Sequence, residues 1–162
     1  MSYENSSGLG VLNSYGPRNV DGSKGGQQST CNGVVKSAIW DFDYNNLPTY
    51  GSTNLQFVIP ANATIVSAKL IVDTAFTSTS TTTDLTVGLY TGAGSAIDAD
   101  GLIEADEATQ DTIAVANSVI TGAGALIGKG IGASAGELVV TPSANDLLTG
   151  AGRIVVEYIY NK

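Results

Sequence analysis

Apolar and polar positions alternate along much of this chain. Over residues 34–44 the even positions Ala38, Trp40, Phe42 and Tyr44 are apolar, while Ser37, Asp41 and Asp43 point the opposite way. A repeat of two sets successive side chains on opposite faces and predicts a strand with one buried side. Asn45-Asn46-Leu47-Pro48 then supplies turn residues. Residues 55–59 place Leu55, Phe57 and Ile59 on one face before Pro60, which has no donor for a ladder. The strongest alternation covers 65–76. It predicts Val66, Ala68, Leu70, Val72 and Phe76, with Thr74, toward the core, and Ser67, Lys69 and Asp73 outward. Beyond the Ser/Thr run at 77–83, Leu85, Val87 and Leu89 resume the pattern, so a hairpin with a hydroxyl-rich tip is expected.

The middle of the chain is less periodic. Residues 101–108 suit two helical turns at most, with Asp98 or Asp100 as the N-cap. Ile113, Val115 and Ile120 suggest one or two short strands around Asn117-Ser118. The glycine-rich stretch 122–136 reads as extended pieces between turns, because glycine disfavours a helix interior. Residues 138–141 form a strand closed by Pro142, and 143–148 suit a single helical turn. In 153–160, Ile154, Val156, Tyr158 and Tyr160 share one face, and Val155 and Ile159 make the other partly apolar. Such a strand is either central in a sandwich or covered by another subunit. The sum is an all-β domain over 34–162, a jelly-roll-like β-sandwich of about eight strands.

Residues 1–33 differ. Seven glycines with Asn, Ser and Gln make them a poor core segment, yet Tyr3, Leu9, Val11, Leu12, Tyr15 and Val20 recur among them. We read an extended N-terminal arm that docks on a neighbouring surface, with Leu9, Val11, Leu12 and Tyr15 as anchors, against the alternative of a disordered tail.

Composition narrows the chemistry. The 162 residues suit one domain, and 7 basic against 15 acidic residues give a net charge of -8. That balance excludes a phosphate-backbone binder, so no nucleic-acid partner is expected. Histidine is absent and Cys31 is the single cysteine, which removes His-based triads, His-ligated metals, internal disulfides and multi-cysteine clusters. No run of about 18 apolar residues exists, so no membrane partner is expected. The first residues carry no basic and apolar leader pattern. Only 14 % of the chain is charged, against 43 % apolar, so part of its surface is expected to be covered by other protein.

Few constellations carry chemistry. Gly128-Lys129 lacks both the upstream glycine and the following hydroxyl of a phosphate-binding loop, since Ala123 and Gly130 stand there. Gly128, Gly130 and Ala133 fit the loose dinucleotide pattern, but no helical segment follows. Asp73-Thr74-Ala75 matches an aspartic-protease turn in three residues, within a strand that explains Asp73 as a solvated group. Asp98, Asp100, Glu104, Asp106 and Glu107 make the best cation candidate, against the alternative of caps and surface charge. Trp40, Phe42, Tyr44 and Tyr50 offer a sugar platform or, equally by alternation, core. No catalytic set, metal or cofactor is expected, and the chain reads as a non-enzyme.

Several segments resemble, in order and over about half the chain, those of tailed-bacteriophage capsid decoration (cement, or minor capsid) proteins. They are Gly10-Val11-Leu12-Asn13-Ser14-Tyr15-Gly16-Pro17-Arg18, then residues 55–63 leading into 65–76, Asp98-Ala99-Asp100-Gly101-Leu102, and residues 152–158. The resemblance implies a β-sandwich or jelly roll on the outer surface of the head. It implies the major capsid protein and further copies of the same chain as partners, in a homotrimer. The implied location is the virion, with the host cytoplasm during assembly. Arg18 joins the arm anchors as an interface residue on this ground, and Val155 and Ile159 join them on strand pattern. The competing expectations are a tail- or fibre-associated structural protein and a carbohydrate-binding sandwich.

Overall fold

The computed structural model describes residues 35–51, 58–80, 82–144 and 147–160, with the backbone of two short strands, β1 (Asn13–Tyr15) and β2 (Gln27–Ser29). These two pair antiparallel. Seven further strands form two antiparallel sheets. The first has the order β3 (Lys36–Asp43), β9 (Leu147–Ile159), β4 (Thr64–Ser78), β7 (Val119–Thr121). The second has the order β6 (Ala96–Ile103), β5 (Leu85–Tyr90), β8 (Glu137–Pro142).

The alternation explains how they pack. Trp40, Ile154, Leu70 and Ile120 stand at one level across all four strands of the first sheet, and all four are buried. Leu85, Val87 and Leu89 of β5, with Leu138 and Val140 of β8, enter the same core from the second sheet. The result is the expected two-layer, jelly-roll-like sandwich. Strand β9 lies between β3 and β4, a central place in the sandwich and one of the two expected for a strand apolar on both faces.

Strand β4 breaks strict alternation and so corrects one expectation. Ile65 pairs with Tyr158 and Ser67 with Glu157, leaving Val66 as an extra residue in a bulge. Ile65 is therefore the fully buried residue at this level, and Val66 is 38 % exposed. Thr74, also expected to face the core, is exposed between two further register shifts. Phe76 beyond it is buried as expected.

The expected hairpin at 77–83 is also wrong. Strands β4 and β5 belong to different sheets, so the Ser/Thr run carries the chain from one layer to the other. Alternation on both sides of a polar run gives each strand's faces but not its partner. Thr83 is fully buried in this crossing, and Asp84 Oδ1 accepts the Gln110 N–H at 3.1 Å.

The helix expected over 101–108 is a strand end followed by a turn. Asp98 and Asp100 lie on β6 and cap no helix, and a short helix, α1 (Gln110–Ile113), starts after Thr109. Close backbone approach decides this. A Cβ on Gly122 would collide with the Leu102 carbonyl, and a Cβ on Gly124 with the backbone of Gly101. The glycine-rich stretch thus lies directly against β6 and holds it extended; Leu126 N–H donates to Gly101 O at 2.8 Å. Ile113 falls in α1 and Val115 in an exposed turn, leaving β7 as the strand near Asn117-Ser118. The helical turn expected at 143–148 is replaced by bends at 143–144 and by the start of β9 at Leu147. Leu55 and Phe57 lie outside the described residues, while Ile59 is buried and bridges to Gly136.

Candidate interaction surface

The outer face of the first sheet is built by the residues that the core does not take. Three levels cross it: Ser37, Glu157 and Ser67; then Ile39, Val155, Lys69 and Thr121; then Asp41, Arg153, Ile71 and Val119. Val155 is half-buried at its centre. Ile39 and Val119 beside it are 49 % and 58 % exposed, and Ile71 is half-buried. A face that served only solubility would carry polar groups at these positions.

One ion pair and one charged hydrogen bond lie on this face. Arg153 donates to Asp73 through Nε at 2.9 Å and Nη2 at 2.7 Å, a bidentate bridge on an exposed surface. That bond and the Asp73 charge, with Asp41 adding a smaller attraction, hold the guanidinium pKa above its usual value. Glu157 Oε2 accepts from Ser67 Oγ at 2.7 Å.

Of the interface residues read from sequence, Val155 and Ile159 lie on β9 with half-buried side chains, Val155 on this face. Leu9, Val11, Leu12 and Arg18 lie outside the described residues. Tyr15 ends β1, where its backbone pairs with Gln27. The sequence reading missed Ile39, Ile71 and Val119. Ile39 and Ile71 were findable, being apolar residues at outward positions of strands whose phase was already set.

The catalytic and ligand candidates disperse. Asp73 is taken up by Arg153. Glu107 bonds backbone, its Oε2 accepting the Glu104 N–H at 2.9 Å and its Oε1 the Ala123 N–H at 2.6 Å. Among the described residues no three acidic or sulfur-bearing side chains gather to hold a metal. Asp98 is pushed above the usual carboxylate range, first by burial and then by a hydrogen bond to the Asp100 side chain. Lys129, opposite, opposes this shift. The loop around Gly128-Lys129 pairs with the chain at 63–65: Gly128 N–H donates to Ile65 O at 2.9 Å, and Ile65 N–H to Lys129 O at 3.0 Å. Its amides are therefore engaged and not arrayed around an anion.

The aromatic platform is likewise divided. Trp40 and Phe42 are buried, with Phe42 stacked on Phe76 at 5.7 Å between ring centres, while Tyr44 and Tyr50 are exposed. Tyr50 stacks instead on Tyr90 at 5.6 Å. The Trp40 indole N–H is buried without an acceptor. A hollow of about 150 Å³ lined by Tyr44, Leu47, Pro142 and Leu147 is below the size of most small-molecule sites, about 300 Å³ and upward.

No family model matches the sequence, and no curated protein matches it. Two solved structures share the fold. A chain of the cyanophage Pam1 capsid asymmetric unit is 19 % identical, with a TM-score of 0.54 over 88 % of this chain and 96 % of that one. A chain of the capsid of Ralstonia phage GP4 is 22 % identical, with a TM-score of 0.52 over 82 % of this chain and 88 % of that one. The sandwich is thus one that occurs in phage capsids.

Proposed function

We propose that this chain is a structural, non-enzymatic protein of a tailed-phage virion. It decorates the outer surface of the capsid and stabilises the shell by bridging major capsid subunits. The observation that carries this is coverage: 88 % of the chain superposes on 96 % of a chain from a capsid assembly, so the correspondence runs over most of both chains. An outer sheet face with exposed Ile39 and Val119 supports it, because a decoration protein works by contact area and not by chemistry.

In this reading the arm, residues 1–33, reaches a neighbouring subunit through Leu9, Val11, Leu12, Tyr15 and Arg18. Full burial of one aliphatic side chain contributes about 1.5–3 kcal/mol, so two or three anchors per copy hold firmly when many copies act together. A homotrimer closes its own contacts by rotation and leaves no open edge for runaway growth. The net charge of -8 keeps free copies apart in the host cytoplasm before assembly. The test is addition of purified chain to particles that lack it, followed by cryo-electron reconstruction. Density over the boundary between capsid subunits is expected. Removal of residues 1–20 should leave the sandwich folded and weaken attachment. Absence from the head, or binding only along the tail, would overturn the assignment.

A further inference from the structure

We infer that the outer face of the first sheet is an isologous contact, in which β9 of one copy packs against β9 of a second copy across a two-fold axis. This deepens the capsid-surface reading, on which it rests only for the setting where the contact operates.

The register supplies the argument. Glu157, Val155 and Arg153 point outward in turn along the middle strand, with the apolar residue between two opposite charges. An axis in the contact plane, crossing β9 at right angles through Val155, lays Glu157 of each copy against Arg153 of the other. Val155 then meets Val155, and Ile39 meets Ile39. An axis parallel to the strands is the poorer choice, setting Glu157 on Glu157 and Arg153 on Arg153, two like-charge pairs where the crossing axis makes only Lys69 on Lys69. The groups have capacity for this second partner: Arg153 uses Nε and Nη2 on Asp73, leaving Nη1, and Glu157 uses Oε2 on Ser67, leaving Oε1. Lys69 meets its counterpart toward the β7 side. Its flexible stem allows the ammonium to swing toward Glu157 of the other copy.

The size is adequate. Strands β3 and β9 pair over eight residues, and strands stand about 4.8 Å apart with a rise of about 3.3 Å per residue. The face formed with β4 and the short β7 is therefore roughly 400 Å² in projection. Two such faces, with side-chain relief added, approach the ~1,200 Å² at which specific interfaces begin. On a shell this contact complements a three-fold ring, because adjacent rings are related by local two-fold axes. The ring gathers three copies, and the sheet face joins one ring to the next.

Charge reversal tests it on the full-length chain by sedimentation equilibrium. We expect concentration-dependent self-association that falls at least tenfold in Glu157→Arg and in Arg153→Glu, and that returns in the double variant. Ile39→Asp, on a half-exposed edge residue, should weaken association without lowering the melting temperature, which separates interface loss from unfolding. A chain that stays monomeric at millimolar concentration would overturn the inference, as would association indifferent to all four variants. So would cross-linking on particles that joins Val155→Cys to a major capsid chain and not to a second copy. Particle binding is scored separately: a chain that binds particles without self-association loses only the two-fold contact, and a chain absent from particles loses only the capsid reading.

Discussion

The two faces of the four-stranded sheet come from the same strands and differ by one residue of phase. Inward, Trp40, Ile154, Leu70 and Ile120 fill one level with buried groups. Outward and one residue along, Asp41, Arg153, Ile71 and Val119 mix charge with exposed hydrocarbon. The inner face is set by packing against a second sheet of the same chain. The outer face is half-way to that condition, apolar at its centre and ion-paired at its flank.

The largest effect should come from within. Leu70→Ala should cost about 2–5 kcal/mol in chemical denaturation, through lost transfer energy and a residual cavity. Lys69→Ala, one residue along and outward, should change stability by no more than about 0.5 kcal/mol. Equal losses would erase the distinction between the faces. Next comes Gly150, inward with φ of 129°, where a Cβ would enter the Phe76 ring. Gly150→Ala should cost about 1–3 kcal/mol or more from backbone strain and displaced packing, read as a fall in the denaturation midpoint. On the outer face, Val119→Ser should leave the midpoint within about 0.5 kcal/mol of the parent while reducing retention on a hydrophobic-interaction column.

The smallest effect lies on the second sheet. Asp98 is held above its unfolded pKa of 3.8 mainly by burial, so its neutral form favours the fold. That contribution is fully present below the unfolded value and is lost as pH rises through the folded one. Asp98→Asn should therefore flatten the pH dependence of stability from about pH 3.8 upward and stabilise slightly at neutrality. An unchanged profile would show that the group does not titrate differently in the folded chain.

What was legible in the sequence follows from these same forces. The phases of β3, β5 and most of β4 were readable, because a single buried face imposes a repeat of two. The bulge at Val66 was not readable, since one inserted residue in an otherwise regular strand leaves no local mark. Neither was the partner of β4: Thr77 to Thr83 reads as a turn from either side, and its role as a crossing between layers depends on β9, far along the chain. The misread helix at 101–108 shows a third limit. Its acidic residues suit a cap, but the backbone is held extended by glycines twenty residues later. At the candidate surface, Val155 was identified because it breaks the rule of one apolar face. Ile39 and Ile71 break the same rule, each as a lone apolar residue among polar outward neighbours of its strand. The division of Trp40 and Phe42 from Tyr44 and Tyr50 was open to alternation, which placed the first two in the core.

The central place of β9 also bears on the order of events during synthesis. Lys36 pairs with Tyr158 and Leu70 with Ile154, so the sheet has no hairpin from which to start. Chains dominated by such distant pairings fold in milliseconds to seconds, slowly for their size. While the ribosome is still translating, β3 has no strand of its own sheet to lie against, and β4 has only the three-residue β7. Completion of β9 is then the step that joins β3 to β4, which leaves β3 open to aggregation and proteolysis until β9 is made.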